Sequence, residues 1–308
     1  MAVSIKEMKN RPERLAPGHR ACAGCTAPIV LKTAMKMTDK RLVGAIATGC
    51  MEVSTTIYPF NAWNISMIHS AFENAAATIS GVEAAYRKLH ADGRVPEENK
   101  FIAFAGDGGT YDIGLQSLSG AMERGHDMLF ICYDNQAYMN TGIQRSSATP
   151  FGAHTNTAQA GSVKQGKEQH RKDLTAIMAD HNVPYVAQAS IHDINDFRRK
   201  VEKALEIKGA AFINILAPCH RGWRIPVEDG LESARLAVET CFWPLYEVTD
   251  GEYKVNYKPK EKLPVTEWIF PQGRFKHMKK PENAPLVEEL QRHTDKKWQE
   301  LLAKAGEK

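Results

Sequence analysis

Five short apolar runs separated by helix-length segments constrain the fold of this chain more than any other feature of its sequence. Each run has the length of one strand, and such runs are typical of strands buried on both faces of a parallel sheet. The repeated strand-then-helix order predicts an α/β fold with a doubly wound, mostly parallel sheet. The predicted strands are residues 42–47, 101–105, 129–133, 185–189 and 211–216, and the predicted helices are 67–89, 113–124, 172–181 and 194–207.

The character of the chain changes after about residue 224, where prolines and lysines become frequent. We therefore predict an α/β domain over residues 1–224 and a C-terminal arm over 225–308, which packs on the domain or on partner subunits. Apolar spacing over 285–303 predicts an amphipathic helix at its end. The basic stretch 274–280 is interpreted as a solvated face.

Composition excludes several classes of protein. No apolar run approaches the roughly 18 residues that a membrane helix needs. The first twenty residues are basic and contain no apolar core, so no secretory signal is predicted and we expect a cytoplasmic protein. The net charge of +4 in 308 residues is too small and dispersed to indicate nucleic-acid binding.

Four of the six cysteines lie where a metal cage could form, whereas a disulfide scaffold is not expected in a chain without an export signal. Cys22 and Cys25 form a CxxC pair. Cys50 and Cys219 each follow a β-rich run at a turn, so the four thiols predict a four-coordinate iron or zinc centre. For the CxxC pair alone, redox dithiol, zinc and iron–sulfur interpretations stay open. The other two, Cys132 and Cys241, are interpreted as packing residues.

A glycine-rich turn follows the second predicted strand, where Gly106, Asp107, Gly108 and Gly109 precede a helix. The glycines permit close backbone approach to a phosphate, and the helix start offers free N–H groups to an anion. Asp107 supplies charge for a hard cation such as Mg²⁺, which prefers oxygen ligands.

A second oxygen donor, Asn135, ends the next predicted strand 28 residues after Asp107. One helix and one strand fit this spacing, so the two side chains are predicted to lie side by side at the carboxyl edge of adjacent parallel strands. The aperiodic segment 146–166 that follows is longer than ordinary connections and is interpreted as a functional loop.

Gly106-Asp-Gly followed by Asn135 resembles the motif shared by thiamine-diphosphate-dependent enzymes. Longer segments, together with the four cysteines, resemble the β subunit of 2-oxoacid:ferredoxin oxidoreductases of the pyruvate synthase (pyruvate:ferredoxin oxidoreductase) type, to which oxalate oxidoreductase is closely related. The likeness extends over nearly the whole chain. The segments that carry it include residues 68–74, 106–114, 133–142, 144–150, 235–240 and 272–276.

The resemblance implies a thiamine-diphosphate-binding fold, with Mg²⁺ and one [4Fe–4S] cluster beside the cofactor. It makes iron–sulfur the preferred interpretation of the cysteines. Asn140 is the implied catalytic residue, facing the thiazolium and substrate. The implied ligands are Cys22, Cys25, Cys50 and Cys219 for the cluster, Asp107, Asn135 and the backbone carbonyl of Ala137 for Mg²⁺, and Gly106, Asp107, Gly108, Gly109, Asn135, Asn140 and Thr141 for thiamine diphosphate.

The activity that the resemblance implies is oxidative decarboxylation of a 2-oxoacid, with pyruvate and coenzyme A giving acetyl-CoA and CO₂ and electrons passing to ferredoxin. The implied partners are α, γ and δ subunits, and a glutamate of the α subunit completes the site. Thr26 stands where many relatives carry glycine, so another 2-oxoacid such as oxalate is an alternative substrate. Two different functions also stay open, a non-redox thiamine-dependent decarboxylase and a zinc-stabilised interaction subunit.

Overall fold

The computed structural model describes residue 3 and residues 5–307. Within them the chain forms one eight-stranded sheet. The strands are β1 (Arg41–Ala47), β2 (Ser66–Ser70), β3 (Asn99–Gly106), β4 (Met128–Asp134), β5 (Tyr185–Ser190), β6 (Ala210–Leu216), β7 (Tyr246–Thr249) and β8 (Glu252–Val255). They follow the order β2-β1-β3-β4-β6-β5-β7-β8. The first six run parallel, and β7 and β8 are antiparallel additions at one edge.

The helices cover both faces of this sheet. They are α1 (Ile5–Asn10), α2 (Ala27–Met35), α3 (Cys50–Thr55), α4 (Ala75–Ala91), α5 (Leu115–Glu123), α6 (Leu174–Ala179), α7 (Ile194–Glu206), α8 (His220–Trp223), α9 (Gly230–Glu239), α10 (Val265–Ile269) and α11 (Ala284–Lys304). A π-helical turn (Gly108–Asp112) precedes α5, and 3₁₀ turns cover Val227–Asp229, Gly273–Lys279 and Pro281–Asn283.

Alternate residues of the central strands enter two separate apolar cores. Ile131 and Tyr133 of β4 face the core that α2, α7, α9 and α10 cover, whereas Phe130 and Cys132 face the core under α4, α5, α6 and α11. Every residue of β4 is buried. This two-sided burial explains why the strand reads as a continuous apolar run, and it confirms the predicted doubly wound fold.

The five predicted strands are all present, but two regions differ from prediction. The predicted helix over 67–89 is wrong at its start, because residues 66–70 form edge strand β2 and α4 begins only at Ala75. Edge strand β2 is short and mostly exposed, so no apolar run marks it. The hairpin of β7 and β8 was also missed, although Asp250 and Gly251 at its turn both have positive φ and Asp-Gly is a strong hairpin signal.

Residues after 224 contribute to the same sheet and to both cores, since β7 pairs with β5 and α11 packs its apolar face under the sheet. The division into a domain over 1–224 and an arm over 225–308 stays a prediction.

The basic stretch 274–280 was predicted to be a solvated face. This is wrong for Arg274, which is only 2% exposed. No helix in the described part of the chain is long and apolar enough to cross a bilayer.

Candidate active site

The predicted pair of oxygen donors meets at the carboxyl edge of the sheet. β3 and β4 are parallel neighbours, and Gly106 is in register with Tyr133, so Asp107 and Asn135 leave the sheet close together. This confirms the predicted juxtaposition of the two side chains. Such an edge is where open α/β sheets bind their ligands.

The glycine turn after β3 is tightly packed. A Cβ on Gly108 would lie 2.4 Å from ring carbons of Tyr138, so only glycine fits between this backbone and the following loop. The chain then makes a π-helical turn in which the N–H groups of Thr110 and Tyr111 donate to the Asp107 carbonyl, at 3.1 and 2.7 Å. π-Helical turns of this kind frequently occur at functional sites.

Asp107 is a buried carboxyl with 1% exposure. Burial, followed by the neighbouring Asp134 charge, raises the pKa of Asp107 well above its usual range. Ser146 donates a 2.5 Å hydrogen bond to Oδ2, which opposes that rise and fixes the plane of the carboxyl group. Ser146 begins the segment interpreted as a functional loop, so this loop contacts the site directly.

Three polar groups converge at this point, namely Oδ1 of Asp107, the side-chain amide of Asn135 and the backbone carbonyl of Ala137. One terminal atom of the Asn135 side-chain amide lies 3.0 Å from Asp107 Oδ1 and 2.9 Å from the carbonyl oxygen of Ala137. Both neighbours are hydrogen-bond acceptors. The amide atom is therefore either a nitrogen that donates to both or a third oxygen donor around a shared cation.

Gln136 holds this loop in a strained conformation, with a φ of 68° that is uncommon outside glycine. Its N–H donates to Asp134 Oδ1 at 2.9 Å, and its carbonyl accepts from the Thr149 hydroxyl at 2.7 Å. Its side-chain oxygen accepts from the Arg274 guanidinium at 2.6 Å. Three hydrogen bonds, two of them to distant segments, therefore fix the residue between Asn135 and Ala137.

Arg274 is clamped from several directions. Its guanidinium stacks 4.1 Å from the ring centre of Trp223, and its Nε donates to Gln272 Oε1 at 2.8 Å. The Trp223 indole in turn donates to the Asn135 carbonyl at 2.8 Å. The C-terminal segment thus supports the loop that carries Asn135.

A cavity with about 480 Å³ of empty space opens at this edge of the sheet. Asn140 is exposed at this cavity, as is Thr141. The lining joins the phosphate turn, the Asn135 loop and one cysteine, and consists of Thr48, Gly49, Cys50, Phe72, Gly106, Asp107, Gly108, Gly109, Tyr133, Asn135, Ala137, Tyr138, Met139, Asn140 and Thr141.

The four predicted cage cysteines interact electrostatically with one another, and of these four Cys50 alone lines the cavity. Cys25, Cys50 and Cys219 are half-buried against the same core, and Cys22 is exposed. Thr26 ties two of the loops together, because its hydroxyl donates to the Pro218 carbonyl at 3.1 Å. Cys132 and Cys241 are buried elsewhere, as expected of packing residues.

The thiols interact electrostatically with one another. Burial raises the pKa of Cys25 to about 11 and that of Cys50 to about 12, and the charges of the other three cysteines add to the rise for Cys50. Burial also raises the pKa of Cys219, whose sulfur accepts a hydrogen bond from the Gly222 N–H at 3.4 Å. Among the described residues, no three His, Cys, Asp or Glu side chains form a site for a single metal ion.

Sequence reasoning missed three residues of this region. Ser146 and Arg274 lie in segments 144–150 and 272–276, which carry the family resemblance, but no role was predicted for either residue. The surrounding basic stretch made Arg274 resemble a surface residue. Tyr133 lies in a buried strand, where an aromatic residue normally indicates packing alone. Arg274 supports the Asn135 loop through its hydrogen bond with Gln136, which is 138 residues away in sequence. No local sequence pattern encodes such a contact.

Comparison with known proteins identifies the relatives of this chain. Residues 47–215 match the family model described as thiamine pyrophosphate enzyme, C-terminal TPP binding domain. The chain is 49% identical to pyruvate synthase subunit PorB of Thermotoga maritima, over 98% of this chain and 96% of that protein. It is 52% identical to PorB of Methanocaldococcus jannaschii, over 93% and 96%.

More distant relatives share the fold. Ketoisovalerate oxidoreductase subunit VorB of Pyrococcus abyssi is 43% identical, over 94% of this chain and 92% of that protein. A solved 2-oxoglutarate:ferredoxin oxidoreductase from Magnetococcus marinus superposes with a TM-score of 0.57 at 18% identity, covering 74% of this chain and 80% of that one. The latter match supports the thiamine-dependent type of α/β fold.

The role of Arg274 predicts a large loss of stability when its charge is removed. Arg274→Met leaves the oxygens of Gln136 and Gln272 without their donor in a buried site, so we expect the free energy of unfolding to fall by about 2–4 kcal/mol. Urea unfolding followed by tryptophan fluorescence measures this change. Lys276→Met, two residues away and exposed, is the matched control and should change stability by less than about 0.5 kcal/mol. Equal effects of the two variants would contradict this role for Arg274.

Proposed function

This chain belongs to the family of β subunits of 2-oxoacid:ferredoxin oxidoreductases, and from that premise we propose how its own residues serve the reaction. The proposal is that the chain binds thiamine diphosphate, Mg²⁺ and one [4Fe–4S] cluster, and decarboxylates pyruvate oxidatively within a multi-subunit complex. The observation that carries it is that Cys50 lines the same cavity as Asp107 and Asn135. A thiol of the cage and the predicted phosphate and cation ligands therefore share one space.

The spacing of the oxygen donors fits a magnesium ion. With Mg–O distances of about 2.0–2.1 Å, neighbouring oxygens of an octahedron are about 2.9 Å apart. The distances from the Asn135 amide to Asp107 and to Ala137, 3.0 and 2.9 Å, agree with that edge length. In the proposed site Asp107, the Asn135 side-chain oxygen and the Ala137 carbonyl hold Mg²⁺. Ser146 keeps the Asp107 carboxyl oriented from its other oxygen.

The glycine turn supports a diphosphate next to this ion. Gly108 and Gly109 line the cavity with backbone alone, and in the proposed site this backbone contacts the diphosphate. Gly108 and Gly109 would hold the diphosphate, and Mg²⁺ held by Asp107 would compensate the charge of this deeply buried carboxyl. Asn140 and Thr141, at the exposed part of the cavity, are then the proposed contacts with the reacting part of the cofactor and the substrate.

The electrostatic interaction among the four thiols favours a role as cluster ligands over a role as separate packing residues. Raised pKa values leave Cys25 and Cys50 protonated at neutral pH in the metal-free chain, and bound iron compensates the buried thiolate charges. The resemblance assigns one [4Fe–4S] cluster to Cys22, Cys25, Cys50 and Cys219. Ferredoxins accept one electron at a time, so a one-electron centre beside the cavity is a chemical need of the reaction.

Bound thiamine diphosphate supplies the electron sink that decarboxylation of a 2-oxoacid requires. The chain positions it and excludes water with the Gly108–Tyr138 contact and the loop that begins at Ser146. The remaining components of the proposal come from the family resemblance. They are coenzyme A as acyl acceptor, ferredoxin as electron acceptor, and partner α, γ and δ subunits, of which the α subunit provides a glutamate.

Pyruvate is the proposed substrate. The relatives at 49% and 52% identity are named pyruvate synthase subunits, and the ketoisovalerate relative is more distant at 43%. Thr26 was the reason to consider oxalate. Its hydroxyl is buried and donates to Pro218, and it does not line the cavity, so this reason is weaker than the sequence suggested.

Loss of the Asp107 carboxylate should abolish the cation-dependent part of cofactor binding. For Asp107→Asn we expect the Mg²⁺-dependent affinity of the assembled complex for thiamine diphosphate to fall at least about 100-fold, because a direct ligand is removed. Calorimetric titration with and without Mg²⁺ measures it, and Asp39→Asn at an exposed position is the control. Undiminished binding by Asp107→Asn would refute the proposed cation site, and no binding by wild type would favour an interaction subunit.

Replacing one cage thiol should remove the cluster and spare the cofactor. For Cys219→Ser purified without oxygen we expect iron and sulfide to fall from about four per chain toward zero. Thiamine diphosphate binding should stay unchanged, and Cys241→Ser serves as the control outside the cage. Zinc in the wild-type protein, or an unaltered electron paramagnetic resonance (EPR) signal in Cys219→Ser, would rule out this ligand set.

Substrate choice is tested by viologen reduction with the assembled complex. We expect pyruvate with coenzyme A to give the highest kcat/KM, by about tenfold or more, over oxalate, 2-oxoglutarate and a branched-chain 2-oxoacid. A preference for oxalate, independent of coenzyme A, would correct the substrate. Decarboxylation without any viologen reduction would indicate a non-redox enzyme.

A further inference from the structure

The hydroxyl of Tyr133 is buried and has no hydrogen-bond partner among the described residues. The residue lies at the end of β4 and is 1% exposed. A buried polar group without a partner destabilises the fold, and most such groups in folded proteins are paired. A phenylalanine would fill the same space without that cost. The unpaired hydroxyl therefore indicates a partner that the chain itself does not supply.

Two glycines locate the hydroxyl between the halves of the site. It lies 3.2 Å from the position that a Cβ would take on Gly49, and 3.6 Å from the corresponding position on Gly106. Gly49 immediately precedes Cys50, and Gly106 immediately precedes Asp107. Any side chain at either glycine would crowd the phenol. The ring thus occupies the strip of space between the cage cysteine and the cation ligand.

No described residue accepts a hydrogen bond from the Tyr133 hydroxyl, so its proton is free to be donated to another group. The Met51 N–H acts on the phenol oxygen as a donor, so the phenol proton still has no acceptor among the described residues. Tyr133 and Cys50 face the same cavity and pack against the same core. Since Gly49 lies beside the phenol oxygen and immediately precedes Cys50, the cage cysteine is a neighbour of the phenol.

We propose that Tyr133 is a positioning residue that donates a hydrogen bond to the iron–sulfur cluster at its Cys50 corner and thereby raises the reduction potential of the cluster. The inference rests on the cluster assignment made under the proposed function. A hydrogen bond to cluster sulfur stabilises the reduced state more than the oxidised state, because the reduced state carries one more negative charge. Electron transfer from the cofactor to the cluster then becomes more favourable.

The test is a potentiometric titration of the assembled complex, monitored by EPR, in wild type and Tyr133→Phe. The β-subunit signal is identified as the one that Cys219→Ser lacks. In Tyr133→Phe we expect the reduced-to-oxidised ratio at a fixed potential to fall about three- to tenfold, where tenfold corresponds to about 59 mV for a one-electron couple. Iron content and thiamine diphosphate affinity should match wild type, since the ring is retained.

Tyr185→Phe is the matched control. Tyr185 is also fully buried, but it begins β5 at the opposite edge of the sheet, where its hydroxyl donates to Glu247 at 2.8 Å. It should lower thermal stability without changing the potential. A change of potential in both variants would make the effect a general one of packing, and would overturn the inference.

Two further outcomes would overturn it and are distinguishable. An unchanged potential with weaker thiamine diphosphate binding in Tyr133→Phe would show that the hydroxyl serves the cofactor and not the cluster. An unchanged potential and unchanged binding would leave the hydroxyl without either role. Wild type free of iron would instead overturn the proposed function, and this inference with it.

Discussion

Burial of the Asp107 carboxyl at the end of β3 is the constraint around which the site is arranged. Within the described residues no Lys, Arg or His side chain forms an ion pair with it, and burial together with Asp134 raises its pKa. A carboxylate in such a place is costly unless a cation compensates its charge. The glycine turn, the strained Gln136 and the Ser146 hydrogen bond all fix the geometry of groups around this one carboxyl.

The order of strands explains how the residues of the two proposed centres reach one edge of the sheet. Cys50 follows β1, Asp107 follows β3, Asn135 follows β4 and Cys219 comes shortly after β6, and these four strands are consecutive neighbours in the sheet. Their carboxyl ends therefore lie in a row, with the oxygen donors in the middle and a cysteine on either side. The CxxC loop joins this row from the N-terminal segment through the Thr26–Pro218 hydrogen bond. Proximity of the cage to the cavity is thus a consequence of sheet topology.

The fold and the juxtaposition of Asp107 and Asn135 could be predicted because their signals are local or follow from strand spacing. Strand β4 is predicted by its continuous apolar run. The number of residues between Asp107 and Asn135 fits one helix followed by one strand. What the sequence did not reveal depends on contacts between distant segments or on weak local patterns. Arg274 is indistinguishable from its lysine neighbours until its bond with Gln136 is seen, and β2 lacks an apolar run because it is an exposed edge. Tyr133 looks like any core aromatic, and only its unpaired hydroxyl sets it apart.

The most direct test of the account is whether a substrate reduces the cluster inside the complex. Pyruvate is added without oxygen to the complex loaded with thiamine diphosphate and Mg²⁺, in the absence of ferredoxin, and the sample is frozen and examined by EPR. The account predicts that the signal of the reduced cluster develops within the time of one turnover, and that it fails to develop when Mg²⁺ and the cofactor are removed. A cluster that dithionite reduces but that pyruvate and the other 2-oxoacids leave oxidised in the fully loaded complex would contradict it.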